Sequence, residues 1–232
     1  MTMGIANPLT SPAHKIGGLY FNGRDAYVDC GNSLTLVPKY DFTVEAWVYP
    51  TANVEWAAIV DRFYRYPWSF RVFDGFLHVA LTDEAGNYIY WKSGVKIPLN
   101  KWSHVAATRE ADTGIVKVYF NGQLGDTLSW NTGKLGDEGD STSTIIGKDR
   151  GNRMFNGTID EVRIYNRALS EEEIQLLYSN PDYPLTDGLV LWLPMSEHSG
   201  NTVYDLSPYG NHGTIHNAEW AVRAVEHPLH AV

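Results

Sequence analysis

The chain has 232 residues, 44% hydrophobic and 19% charged, the balance of a folded protein with material for a substantial core. Its formal net charge of −9 argues against nucleic acid as a partner and against electrostatic docking to anionic membranes. A single cysteine, Cys30, excludes an intrachain disulfide and is expected to be a small buried strand residue. No stretch approaches the roughly 18 apolar residues of a membrane helix, so no membrane insertion is expected.

Taken in order, residues 1–16 lack the basic segment and apolar run of a signal peptide and are expected to form an N-terminal extension. Alternating runs then predict strands at 43–49, 69–73, 76–82, 88–92, 102–109, 114–120, 144–146 and 158–165. The run at 114–120 leads into Asn121-Gly122, a hairpin dipeptide because both residues tolerate positive φ. Ser170-Glu-Glu-Glu173 is a capping box, predicting one short helix over 171–178. The prolines of Asn180-Pro-Asp-Tyr-Pro184 stop it and make 178–188 a stiff connector to a last strand at 189–193. Many short strands with turn residues between them predict an all-β, antiparallel two-sheet jelly-roll sandwich.

Several phrases carry a family resemblance. They are Leu19-Tyr-Phe-Asn-Gly-Arg-Asp-Ala-Tyr-Val28, Phe42-Thr-Val-Glu-Ala-Trp-Val48, Lys101-Trp-Ser-His-Val105 and, most specifically, Phe155-Asn-Gly-Thr-Ile-Asp-Glu-Val-Arg-Ile-Tyr165. Together they resemble laminin G-like, concanavalin A-like jelly rolls of the LamG-like 3 type. The resemblance implies one domain over 17–220, with 221–232 as a C-terminal tail. Residues 189–220, ending in Asp205-Leu-Ser-Pro-Tyr-Gly-Asn-His-Gly213, resemble the family's first strand and loop but stand last. That order implies a circular permutant with 189–193 pairing beside 158–165. The alternatives are exchange of that strand with a neighbouring subunit and a cut between tandem modules.

The residues offer little catalytic chemistry. Sandwich glucanases use a Glu-x-Asp-x-x-Glu strand to bring two carboxylates about 5 Å apart, and no such string occurs. Asp160 and Glu161 are adjacent and are expected on opposite faces of their strand. The reading is therefore not an enzyme. The resemblance implies a structural Ca2+ held by Asn22, Asp25 and Asp160. The alternative is that these residues cap turns through side-chain to backbone hydrogen bonds.

Aromatic side chains point to a ligand, since sugars present apolar faces with polar edges. Trp47, Trp102, Trp192 and Trp220 are expected in the core. Trp56, Tyr64, Tyr66, Trp68 and Trp91 are the candidate binding residues, forming either a glycan platform or a subunit interface. The expected function is a non-catalytic binding module for glycan recognition or adhesion on a cell or particle surface. The alternative is a self-assembling decoration protein of a virion or surface layer, whose partners are copies of itself as a homo-oligomer or larger particle. The missing signal peptide favours virion association over export, with a cytoplasmic location otherwise.

Overall fold

The computed structural model describes residues 17–53, 55–62, 68–136, 142–149 and 151–221. The N-terminal extension, most of the C-terminal tail, Tyr64 and Tyr66 lie outside the described residues.

Sixteen described strands and one α-helix occur in the order β1 (Leu19–Asn22), β2 (Tyr27–Asp29), β3 (Phe42–Pro50), β4 (Ala57–Asp61), β5 (Trp68–Phe73), β6 (Phe76–Thr82), β7 (Tyr88–Lys96), β8 (Ser103–Glu110), β9 (Ile115–Phe120), β10 (Gln123–Ser129), β11 (Ile145–Ile146), β12 (Asn156–Tyr165), α1 (Glu171–Ser179), β13 (Leu189–Leu193), β14 (Thr202–Val203), β15 (Gly213–His216) and β16 (Glu219–Trp220), with a 3-10 turn at Leu34–Leu36 between β2 and β3. They form two antiparallel sheets. Sheet A runs β10-β9-β8-β3-β12-β1-β16, and β13 also pairs with β12. Sheet B runs β14-β15-β2-β11-β4-β5-β6-β7. This is the jelly-roll sandwich that the alternating runs predict.

Apolar side chains from both sheets interleave between them. Phe42, Val44, Val105 and Ile164 come from sheet A, and Val28, Ile59, Phe70 and Val79 from sheet B. Cys30 joins this core at 3% exposure, and burial pushes its thiol well above the ordinary range, so it is an inert packing residue. Asn121 and Gly122 both adopt positive φ, as the hairpin they predict between β9 and β10 requires. The capping box is also present: Ser170 Oγ accepts from Glu173 N, and Glu173 Oε2 accepts from Ser170 N.

β12 is the hub. Its first half pairs with β1 (Ile159 with Leu19) and its second half with β13 (Val162 with Leu193, Ile164 with Leu191). The two strands share one edge of β12, and they meet where Gly18 N donates to Met195 O. A Cβ at Gly18 would sit 2.5 Å from Ile159 O, and its φ is 102°, so glycine is required at this junction. The tail strand thus pairs beside β12 within its own chain.

At the junction β12 bulges. Asp160 pairs with Trp47 and Arg163 with Glu45, so β12 spends one more residue than β3 over the same span, and Glu161 takes φ 50°. A bulge of this kind turns consecutive side chains to one side. The expectation of opposite faces for Asp160 and Glu161 is therefore corrected: Ile159 and Val162 enter the core, while the two carboxylates between them lie outside it.

Candidate functional site

The outer face of sheet A is covered. Helix α1 packs Ile174 and Leu177 on Tyr119, Tyr165 and Leu189, and Tyr178 stacks on Trp47 at 5.7 Å. Trp47 is thus buried, but under the helix rather than between the sheets. Trp102, Trp192 and Trp220, also expected in the core, are half-buried. Beside the helix lies an ionic cluster. Arg163 donates to Glu45 Oε1 at 2.7 Å, to Glu161 Oε2 at 2.8 Å and to the carbonyl of Pro181. Glu45 Oε2 meets His104 Nε2 at 2.5 Å, and Trp192 Nε1 donates to Glu161 Oε2 at 2.8 Å. Burial would raise Glu45, but Arg163 and His104 outweigh it and hold the carboxyl below its usual range. Glu161 goes the other way: burial dominates and pushes it up to about 8. Glu45, His104 and Arg163 are at most 1% exposed, so this cluster fastens strands, helix and connector together and presents nothing to a ligand.

The outer face of sheet B differs. β5 alternates core Trp68, Phe70 and Val72 with outward Ser69, Arg71 and Phe73, and β6 and β7 continue the pattern with outward His78, Tyr90 and Lys92. Arg71 donates to Asp61 at 2.7 Å and to Asp149 at 2.9 Å. Arg153 also pairs with Asp149 and remains 40% exposed, so two guanidinium groups face two carboxylates. Over this network stands Trp56. Its ring lies 4.2 Å from Phe73, 5.1 Å from His78 and 6.0 Å from Tyr90, with the Arg153 guanidinium 5.4 Å away.

Trp56 reaches this position at φ 61°, a conformation that is a true outlier for a bulky side chain. The rest of the fold holds it there at a conformational cost, a pattern that concentrates at binding sites. His78 is 2% exposed, and its burial, reinforced by Arg71 and Lys92, lowers it to about 4, so the ring is neutral at neutral pH. The result is a half-exposed aromatic surface extended by exposed Tyr88 and Tyr90 and edged by Arg153 and Lys92.

The other site residues expected from sequence divide. Trp68 is corrected: it is fully buried in β5, its ring 5.6 Å from Phe42, because strand alternation turns it inward. Trp91 faces inward too and packs half-buried against the core. Asn22, Asp25 and Asp160 are not brought together. Asn22 pairs with Asn156, and Asp160 is four residues further along β12, roughly 13 Å at strand spacing. Asn22 Oδ1 instead accepts from the backbone N–H of Arg24, Asp25 and Ala26, and its Nδ2 donates to Asp25 at 2.7 Å, which is the turn-capping alternative. Among the described residues no three His, Cys, Asp or Glu side chains converge on a metal position. Sequence reading missed Phe73, His78 and Tyr90. Their strand alternation was visible, but which face of the sheet turns away from the core was not.

The family model Laminin G 3, described as the concanavalin A-like lectin/glucanases superfamily, matches residues 22–175. The chain belongs to this family. It is also 34% identical over 97 residues to human adhesion G-protein coupled receptor D1, covering 40% of this chain and 11% of that protein's length. Among solved structures, a candidate carbohydrate binding protein from Bacteroides ovatus superposes with a TM-score of 0.71 at 20% identity, over 90% of this family member and 60% of that chain. The CBM40 of a Ruminococcus gnavus IT-sialidase, bound to α2,3-sialyllactose, gives 0.59 at 14% identity, over 69% and 96%. Domain 4 of a GH43 extracellular arabinanase from Geobacillus stearothermophilus, in complex with arabinotriose, gives 0.55 at 24% identity, over 71% and 78%. These superpositions establish a shared sandwich fold.

Proposed function

We propose that this protein is a non-catalytic glycan-binding module, displayed on a cell or particle surface, whose primary contact is the Trp56 patch. The observation that carries the reading is the strained backbone of Trp56, which sets an indole among Phe73, His78 and Tyr90 on a sheet face that no α-helix covers among the described residues. Sugar rings stack on such surfaces and hydrogen-bond to charged groups at their edges, here Arg153 and Lys92. The arabinotriose and sialyllactose bound to two structural neighbours support the ligand class. The chain order reads as a circular permutation, supported by the intrachain pairing of β13 with β12 and by a family match that ends before the tail.

A glycan array tests the reading. The parent protein is expected to bind a defined subset of sugars and Trp56→Ala to lose them while keeping its circular dichroism spectrum. A parent that binds no sugar overturns it. A parent that is oligomeric by light scattering and becomes monomeric as Trp56→Ala would instead make the patch an interface between copies.

A further inference from the structure

We infer that the tail builds a second sugar-binding site, a polar groove on the outward face of sheet B between the turn after β2 and the loop before β15. The inference rests on the glycan-binding reading and extends it to a place the Trp56 patch does not reach. The groove is shallow and open to solvent, spans about 690 Å³ and is lined by Asp29, Asn32, Ser33, His212, Thr214 and His216 among others. That volume suits a small ligand, for which about 300–1,000 Å³ is usual. One wall comes from residues 29–33. The other comes from residues 210–216, which lie outside the segment matched by the family model.

Three groups give the groove the chemistry of a sugar site. Asp29 and Thr214 are cross-strand partners on the floor. Asp29 Oδ1 accepts from Gly31 N at 2.8 Å, which orients the carboxylate and leaves Oδ2 to accept from a hydroxyl. His212 Nδ1 accepts from Asp205 N at 3.0 Å, so the neutral ring carries its proton on Nε2 and offers a donor. Tyr204 holds that ring edge-on at 5.3 Å. His216 stacks on Tyr27 at 4.4 Å with an interplanar angle of 11°, which makes a braced flat wall. An acceptor, a donor and a flat ring around an open groove match the alternating hydroxyls and apolar face of a pyranose.

The two sites are distinct. Strands β11, β4 and β5 separate β2 from β6 in the sheet, a distance of about 19 Å at normal strand spacing. One extended glycan, or two neighbouring ones, can therefore engage both, and joint occupancy raises avidity without any new contact.

The test is an ¹⁵N NMR titration of the full chain with methyl glycosides of glucose, galactose, mannose and arabinose at millimolar concentration. At least one is expected to shift the amides of Gly31, Thr214 and His216 saturably, and to do so in Trp56→Ala as well. Asp29→Asn, which keeps the oxygen that caps Gly31, and His216→Ala are each expected to weaken those shifts by about tenfold in affinity. Shifts confined to the surroundings of Trp56 overturn the second site and leave the glycan reading standing. Shifts in the groove that neither variant weakens overturn it as well. No shift with any glycoside, together with a blank array, overturns both.

Discussion

The backbone N–H of Ala221 donates to the carbonyl of Gly18 at 3.0 Å, so the two ends of the described domain meet on the β1–β16 pair. A chain that begins in the connector and runs through β13 to β16 into β1 can therefore be made by covalent change alone, which tests the permutation proposed above. A variant with Ala221 joined to Gly18 through a two-residue Asn-Gly turn, and with new ends opened between Pro184 and Leu185, is expected to fold. Its urea midpoint should approach that of the parent, because no core residue and no member of the Arg163 cluster is touched. An insoluble product, or one that folds only as a dimer by exchanging β13, would show that the connector is needed to place that strand.

Trp56 and Trp68 separate binding from stability. Trp68→Ala removes a fully buried indole and is expected to cost about 3–5 kcal/mol in denaturant unfolding. Trp56→Gly removes the binding ring and also the side chain that disfavours φ 61°, so it should be about 1 kcal/mol more stable than Trp56→Ala. Equal stability of the two Trp56 variants would mean that the positive φ carries no strain in the folded protein.

The sandwich was legible because its strands obey simple alternation. Strands expected at 76–82 and 189–193 match β6 and β13, and the helix expected at 171–178 is α1 with one residue added. β4, Ala-Ala-Ile-Val-Asp, escaped because it is buried along its whole length and shows no period of two. The bulge after Asp160 escaped because an extra residue in one strand leaves no mark without its partner strand. The site was half legible. Trp56 could be singled out as an aromatic with no obvious core role. The burial of Trp68, the immediate neighbour of outward Ser69, depends on which face sheet A covers.

Glu161 makes stability fall as pH rises from about 4.5 to about 8. Its carboxyl rises from an ordinary 4.5 to about 8 in the folded protein, chiefly through burial. Between those values the folded state keeps a proton that the unfolded chain has released. The stabilisation is therefore complete below 4.5 and is lost as pH rises through 8, at up to about 1.4 kcal/mol per pH unit. Glu161→Gln keeps an acceptor for Arg163 and Trp192 and cannot ionise. Its thermal midpoint should fall less than the parent's as pH rises from about 4.5 to about 8, and parallel curves over that range would assign the loss to other groups.

His78 acts at the opposite end. Burial first, then Arg71 and Lys92, lowers it from 6.5 to about 4, so the folded protein holds a neutral ring where the unfolded chain would take up a proton. Its contribution is complete above 6.5 and disappears as pH falls through 4. His78→Phe keeps a flat ring against Trp56, Phe73 and Tyr90 and removes the titration. The variant should unfold less steeply with acid than the parent over this window, as measured by urea midpoints at successive pH values. The same substitution tests the patch itself. A neutral ring buried beneath Trp56 serves as support for the indole, so glycan affinity near neutral pH should survive in His78→Phe and disappear in Trp56→Ala. If His78→Phe removes binding as fully as Trp56→Ala, then the imidazole nitrogen, rather than the flat ring, is what the ligand requires.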